Sequence, residues 1–94
     1  MFKRAALISL LLVSPVQANE TCLGMANLAT TIMSLRQEGV PIQRMFEISD
    51  LPLARVMVRD AYGYPLFRTQ EVKQSTINEF SNRIFLMCLD AHDE

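Results

Sequence analysis

The most reactive side chains in this sequence are its two cysteines, Cys22 and Cys88. A redox-active pair usually has C-x-x-C spacing, which lowers the pKa of one thiol, whereas these two cysteines lie far apart in the chain. In an exported protein two cysteines stay oxidised, and only one intramolecular pairing exists for them. We therefore predict a structural disulfide that closes most of the chain into one loop and contributes about 4 kcal/mol of stability.

The first 18 residues have the pattern of a secretory signal peptide. Two basic residues are followed by an apolar run from Ala5 to Val13, and small residues precede a cleavage site after Ala18. The run is about half the length of roughly 20 residues that a membrane-spanning helix needs. We predict that residues 1–18 are removed and that residues 19–94 form a single periplasmic or secreted domain without stable membrane insertion.

Catalytic residue types are scarce in this sequence. His92 is the only histidine, and it lies two residues before the C-terminus, where a site would fray. No serine lies in an esterase-type glycine turn, and the isolated glycines form no phosphate-binding loop. We predict that the protein is not an enzyme and has no cofactor. A small cell-wall hydrolase with a carboxylate pair is the third alternative, although so short a domain has little room for a cleft.

Methionine is the other soft ligand in the sequence, because thioethers suit monovalent copper. The methionines that remain after signal removal fall on apolar stripes of different predicted helices: Met25, Met33, Met45, Met57 and Met87. Methionines on such stripes usually fill a core. We predict no metal site, and we expect a methionine-rich core to suit adaptable protein binding if it becomes exposed.

Removal of the signal also changes the charge of the chain. Nine basic residues become seven while all ten acidic residues stay, so that the net charge goes from −1 to −3. Nucleic acid needs a basic face, and anionic lipid attracts basic segments. We therefore predict that neither is a partner.

Two long helices are predicted to position the cysteines. The first begins with a cap at Asn19 or Thr21 and runs to about Glu38, where Gly39 stops it in the left-handed conformation. The last runs from residue 69 to residue 91 and has Thr69 as its cap. Their apolar stripes consist of Cys22, Met25, Ala26, Ala29, Ile32, Met33 and Arg36 on the first helix, and of Val72, Thr76, Ile77, Phe80, Ile84, Met87 and Cys88 on the last.

Two shorter helices are predicted between them. Pro41 starts one of them, and the other runs from residue 52 to residue 62. Their inward residues are Ile42, Met45, Phe46 and Ile48 on the former, and Leu53, Val56, Met57 and Ala61 on the latter. No segment has the alternation of a strand. We predict an all-α bundle of three to four helices in which the first and last are antiparallel and joined by the disulfide.

The turn before the last helix is the candidate surface for protein binding. It contains Tyr62, Tyr64, Phe67 and Arg68, and tyrosine and arginine are enriched at interface hot spots. A further candidate is Arg36-Gln37-Glu38 at the end of the first helix, with Arg36 as its contact residue. The alternatives are that the aromatic residues cover one end of the bundle and that Arg36 complements the helix dipole.

Four groups of residues along the chain form a recognisable pattern. They are Cys22 opening a helix, Arg36-Gln37-Glu38-Gly39-Val40-Pro41, Ala61-Tyr62 followed by Pro65, and Phe80-Ser81-Asn82 before Cys88. It resembles small exported helical proteins of bacteriophages and prophages, a group with no established general activity. This resemblance implies a periplasmic domain with one disulfide and carries over no catalytic residues. By architecture the chain is also similar to the acid-stress periplasmic chaperones, whose lysine-rich sequence it lacks.

Two functions are therefore left open by the sequence besides the hydrolase. The first is a non-enzymatic periplasmic domain that binds another protein as an inhibitor or immunity-type factor. The second is a stress-responsive chaperone, because protonation of ten carboxylates would make the chain strongly positive below about pH 4. The sequence identifies no particular protein partner, and it leaves open whether the domain forms a homodimer.

Overall fold

A computed structural model of the chain describes residues 2–93, with side chains described for residues 19–92. It contains four helices, α1 (Phe2–Gln37), α2 (Ile42–Ile48), α3 (Pro52–Tyr62) and α4 (Gln70–Asp93), and no strand occurs between residues 2 and 93. The predicted all-α class is confirmed. The proposed signal peptide, residues 1–18, lies outside the residues whose side chains are described, and its cleavage stays a prediction.

The limits of α1 differ from the prediction at one end only. With residues 1–18 present, α1 continues through Asn19 and Thr21 from Phe2, so the helix does not start there, and a cap at either residue stays a prediction for the cleaved chain. Neither residue has to cap a helix whose backbone N–H groups already bond within the preceding turn. At the other end, Gly39 has the predicted left-handed conformation with φ of 87°. The N–H of Val40 bonds to the carbonyl of Leu35 at 3.1 Å, which closes a Schellman motif.

Helices α1 and α4 pack side by side and run in opposite directions. The Cys22–Cys88 disulfide joins the middle of α1 to the C-terminal half of α4, with 5.5 Å between the two α-carbons. At the other end, the ammonium of Lys73 donates to the carbonyl of Gln37 at 2.8 Å. The predicted antiparallel pair and its disulfide are thus confirmed.

Phe80 of α4 lies at the centre of the core and is fully buried. Small residues on α1 let α4 approach closely, as shown by the Ser81 hydroxyl, which donates to the carbonyl of Ala26 at 3.0 Å. The buried cluster around Phe80 consists of Ala29, Ile32, Met33, Met45, Met57, Val58, Ala61, Ile77 and Ile84. All four helices contribute to this one cluster.

Helix α3 has the predicted limits but not the predicted inward face. Pro52 is its first residue, and its buried side consists of Ala54, Met57, Val58 and Ala61. Leu53 and Val56 are exposed, which corrects the prediction that they point inward. The physical reason is that α3 packs on α1 through its small side chains, which turns Leu53 and Val56 towards the space beside α4.

Three other residues of the predicted stripes are also exposed: Ile48, Val72 and Met87. Ile48 is the last residue of a seven-residue helix and has no element over it among the described residues. Val72 lies in the first turn of α4, beyond the point where Lys73 reaches the end of α1. Met87 lies on the same open side of the bundle as Val56.

Candidate functional site

The predicted contact turn between α3 and α4, residues 63–69, is fastened to the end of α1. The guanidinium of Arg36 donates from Nε at 3.2 Å and from Nη2 at 3.0 Å to the carbonyl oxygen of Tyr64. The same guanidinium lies 5.0 Å from the centre of the Tyr62 ring. Arg36 therefore holds the turn in place with a bidentate hydrogen bond and a cation–π contact.

Both tyrosines of this region contact the bundle. The Tyr62 hydroxyl donates to the carbonyl of Val40, and burial raises the pKa of the phenol, while the nearby charge of Arg36 lowers it. The Tyr64 ring meets Phe80 edge to face with 5.7 Å between ring centres. The tyrosines thus cover the end of the core, which is the structural alternative considered for them.

Gln37 was predicted to lie on the surface with Arg36 and Glu38, and this prediction is wrong because its side chain is buried. Its buried side chain donates from Nε2 to the carbonyl of Pro65 at 2.9 Å and accepts the N–H of Phe67 at 3.0 Å through Oε1. A signal for it existed, since Gln37 follows Met33 by four residues and so continues the apolar stripe of α1. A polar residue at a core position needs hydrogen-bond partners, and the turn supplies them.

Of the five candidate contact residues, only Arg68 is exposed and lacks a hydrogen bond or ion pair among the described residues. The other four are partly buried, and they pack against or bond to the bundle: Arg36, Tyr62, Tyr64 and Phe67. The structure brings these four together, but it does so around the end of α1. The main contribution of these four side chains is to hold the turn. Only the part of each side chain that points away from the bundle is exposed to solvent.

A second site lies at the disulfide end of the bundle, on the open side between α3 and α4. It is a groove of about 310 Å³, which we call the methionine groove. Its lining is almost wholly apolar, and the residues that form it are Met25, Leu53, Val56, Met57, Ile84, Met87, Cys88 and Ala91, with Asp60 and His92 as the polar members. Of its three methionines, Met57 is buried in the core as predicted and Met25 is partly buried, whereas Met87 is exposed.

The groove exists because α3 and α4 both pack on α1. Met25 of α1 forms part of the floor, and the two other helices form the walls. Near one end, the Arg83 guanidinium donates to the carboxylate of Asp60 and joins the two walls. This bond raises the pKa of Arg83. The Cys22–Cys88 disulfide ties the α4 wall to α1, so that the covalent bond and the groove belong to one structural unit.

His92 lies in the last turn of α4, one turn beyond Cys88 in the helix. One of its ring nitrogens and the two cysteine sulfurs lie within 4.8 Å of one another. His92, which the sequence placed in a fraying tail, thus lies beside the disulfide at the mouth of the groove. The two sulfurs are bonded to each other and are not thiolates, so the imidazole is the one good metal ligand of the three.

The exposed residues at the rim of the groove, Leu53, Val56 and Met87, were assigned to the core by their periodicity. The signal that could have separated them is the excess of apolar positions on α3, where both Leu53-Val56 and Ala54-Val58 satisfy helical spacing. A helix of this length cannot bury both sets against a single neighbour. One set had to face solvent or a partner.

Comparison of the chain with protein-family models, curated proteins and solved structures found no match. Between residues 2 and 93, no helix has both the length and the apolar character that crossing a bilayer requires.

Proposed function

We propose that the protein is exported and acts in the periplasm as a non-enzymatic domain that binds another protein, as an inhibitor or immunity-type factor. The methionine groove is its contact surface. The observation that supports this proposal is the exposure of large apolar side chains around one concave site: Leu53 is 50% exposed, Val56 64% and Met87 57%.

Such exposure has a free-energy cost that partner binding would recover. Burying apolar surface contributes roughly 25 cal/mol per Å², and contiguous exposed apolar surface on small proteins is characteristic of interaction sites. Methionine suits such a site because its unbranched side chain adapts to different partner shapes. The three methionines of the groove therefore favour a protein surface as the occupant.

The disulfide supports both the export and the binding surface in this proposal. Disulfides persist in oxidising compartments, and the bridge between Cys22 and Cys88 is compatible with a location outside the cytosol. Cys88 is itself a lining residue of the groove. Reduction would loosen the α4 wall, so we expect binding competence only in the oxidised protein.

The aromatic turn has a secondary place in this proposal. Arg36, Tyr62, Tyr64 and Phe67 hold the turn to the bundle, and substituting any of them would alter stability together with binding. Arg68 remains a candidate contact residue because it is exposed. It lies at the opposite end of α4 from the groove, so a partner that contacts both would have to span the helix.

The proposal is tested by placing a photo-crosslinking amino acid at single positions and irradiating intact cells. Val56 and Met87 report on the groove, and Val72 is a matched exposed apolar position at the far end of α4. We expect one discrete crosslinked protein from the two groove positions and none from Val72. Equal crosslinking from all three positions, or none from the groove, would contradict the proposed surface. Cell fractionation and N-terminal sequencing of the same samples test export and cleavage after Ala18.

A stress-responsive chaperone is the second candidate, and the exposed apolar rim of the groove, formed by Leu53, Val56 and Met87, favours it. The two functions differ in breadth, because a chaperone protects many unfolded clients whereas an inhibitor binds one folded partner. Light scattering of an aggregating client protein, measured from neutral pH to below about pH 4, separates them. Protection that appears only in acid supports the chaperone, and its absence at every pH excludes it.

A further inference from the structure

From the shape and charge around the methionine groove, we infer that its occupant is an amphipathic helix of the partner protein whose polar side is basic. This inference rests on the proposed function and adds the chemistry of the partner. It follows from three observations: the apolar lining of the groove, its length, and the distribution of charge at this end of the bundle.

The lining determines the backbone form of the occupant. Only Asp60 and His92 are polar among the lining residues, and the Asp60 carboxylate is already bonded to Arg83. An extended peptide would bring unpaired N–H and carbonyl groups into this apolar surface, and the helical walls offer no free backbone groups to pair with them. A helix satisfies its own backbone, so it can present apolar side chains to the groove without that cost.

The length of the groove agrees with a helical occupant. On α3 its lining runs from Leu53 to Asp60, and on α4 from Ile84 to Ala91. Each stretch rises by about 10 Å at 1.5 Å per residue, which is close to two turns of a helix. Two turns present three or four apolar side chains at i, i+3, i+4 and i+7 spacing. The rim residues Leu53, Val56 and Met87 are exposed at the positions where such side chains would pack.

Acidic side chains predominate at the disulfide end of the bundle. Among the residues whose side chains the structure describes, ranges 19–29 and 85–92 contain Glu20 and Asp90 and no lysine or arginine. Glu20 and Asp90 are exposed, where they attract a basic partner.

The arginines of α3 do not cancel this field at the groove. Helical geometry places Arg55 about half a turn away from Leu53 and Met57, on the other side of α3, whereas Arg59 lies one turn from Val56 and flanks that wall. The Arg55 guanidinium also stacks on the Phe46 ring of α2 at 5.3 Å. Because Asp60 and Arg83 pair with each other, the carboxylates of Glu20 and Asp90 still outnumber the one guanidinium of Arg59 at this end.

The same charge argues against a second copy of this chain as the occupant. A twofold-symmetric dimer through the groove would bring the two acidic ends together, because such an interface pairs a surface with itself. Like charges facing each other across an interface oppose association. A basic helix gains from the same charges, and it gains most at low ionic strength.

The test uses the full oxidised protein and two synthetic peptides of about 18 residues, or five helical turns. Both peptides have leucine at i, i+3, i+4 and i+7 spacing, and the polar side is lysine in one and glutamate in the other. Fluorescence anisotropy measures the affinity of each at low and at physiological salt. We expect micromolar binding of the lysine peptide and at least about tenfold weaker binding of the glutamate peptide, with the difference shrinking as salt rises.

Neutral substitutions then identify the surface. Val56→Asn and Met87→Gln should each weaken binding of the lysine peptide by about tenfold, whereas Val72→Asn, the same change at the far end of α4, should leave it within about twofold. All three positions are exposed, so circular dichroism should show unchanged folding. Equal affinity for the two peptides, or an equal loss from Val72→Asn, would overturn the inference.

Two further results separate this inference from the function on which it rests. Groove crosslinking in cells without binding of the lysine peptide overturns the basic helix and leaves the protein-binding function intact. Absence of both overturns the function as well. Sedimentation velocity that shows a dimer dispersed by Val56→Asn would make a second copy the occupant and would also overturn the inference.

Discussion

The buried side-chain amide of Gln37 accepts a hydrogen bond from the backbone N–H of Phe67 at 3.0 Å. The same amide donates to the carbonyl of Pro65 at 2.9 Å. One side chain in the last turn of α1 thus pairs two backbone groups of the turn that leads into α4. The position at which α4 begins is therefore linked to the end of α1 by a buried polar side chain.

Gln37→Leu should destabilise the protein by about 2 kcal/mol, because the partly buried N–H of Phe67 and carbonyl of Pro65 would lose their partner. Urea denaturation followed by circular dichroism measures the change. Gln70→Leu, at an exposed position of the first turn of α4, is the matched control and should change stability by less than about 0.5 kcal/mol. Equal effects of the two substitutions would contradict the role given to Gln37.

Arg36→Ala and Arg68→Ala should differ in stability although both remove an arginine near the same turn. Arg36 donates twice to the Tyr64 carbonyl and stacks on Tyr62, so its loss should cost about 1–2 kcal/mol. Arg68 is exposed, and its loss should cost less than about 0.5 kcal/mol. Thermal unfolding of the two variants side by side checks this difference, and a similar cost for both would remove the argument that Arg36 fastens the turn.

Replacing both cysteines, as Cys22→Ala with Cys88→Ala, should lower the free energy of unfolding by about 4 kcal/mol. The bridge closes a loop with a sequence separation of 66 residues, and the chain-entropy estimate for such a loop gives this magnitude. Chemical reduction of the unmodified protein should have the same effect in urea denaturation. A protein that keeps its full stability when reduced would show that helix packing alone suffices.

Stability should fall at alkaline pH through Tyr62. Burial raises the pKa of this phenol above its ordinary value of about 10, despite the opposing charge of Arg36. A pKa that is higher in the folded state means that the unfolded chain loses its proton first, so the contribution is complete below about pH 10 and is lost as the pH rises further.

Tyr62→Phe tests this pH dependence. The variant should be less stable at neutral pH, since it loses the hydrogen bond to Val40, but its stability should decline less steeply above about pH 10. Urea denaturation at several pH values between about 8 and 11 gives the two slopes. Parallel slopes for the two proteins would contradict the assignment to Tyr62.

Truncation of Phe80 should cost much more stability than truncation of Met87, although both come from one predicted stripe. Phe80 is fully buried, and Phe80→Ala should cost about 3–5 kcal/mol through lost burial and a residual cavity. Met87 is 57% exposed, and Met87→Ser should cost less than about 1 kcal/mol. A large cost for Met87→Ser would show that the groove is filled in the isolated protein.

Much of the fold could be predicted from local chemistry. Gly39 ends α1 because the left-handed conformation suits glycine, Pro52 begins α3 because its missing N–H is not needed there, and Thr69 caps α4 through a hydrogen bond from the N–H of Val72 at 3.3 Å. The disulfide followed from the presence of only two cysteines. The helix limits depend on residues that are close together in sequence. The disulfide depends on a pairing for which two cysteines allow only one possibility.

The methionine groove depends on how the helices pack against one another, which the pattern of neighbouring residues in the sequence does not determine. Periodicity showed that α3 and α4 have apolar sides but not which of two overlapping sides of α3 meets α1, because the three-residue step Leu53-Val56 and the four-residue step Ala54-Val58 both fit a helix. The smaller side chains of Ala54 and Ala61 allow α3 to approach α1 more closely, which leaves Leu53 and Val56 on the outside with Met87. The sequence by itself thus determined the helices and their covalent link, and only the contact between helices decided that three predicted core residues form the rim of a groove.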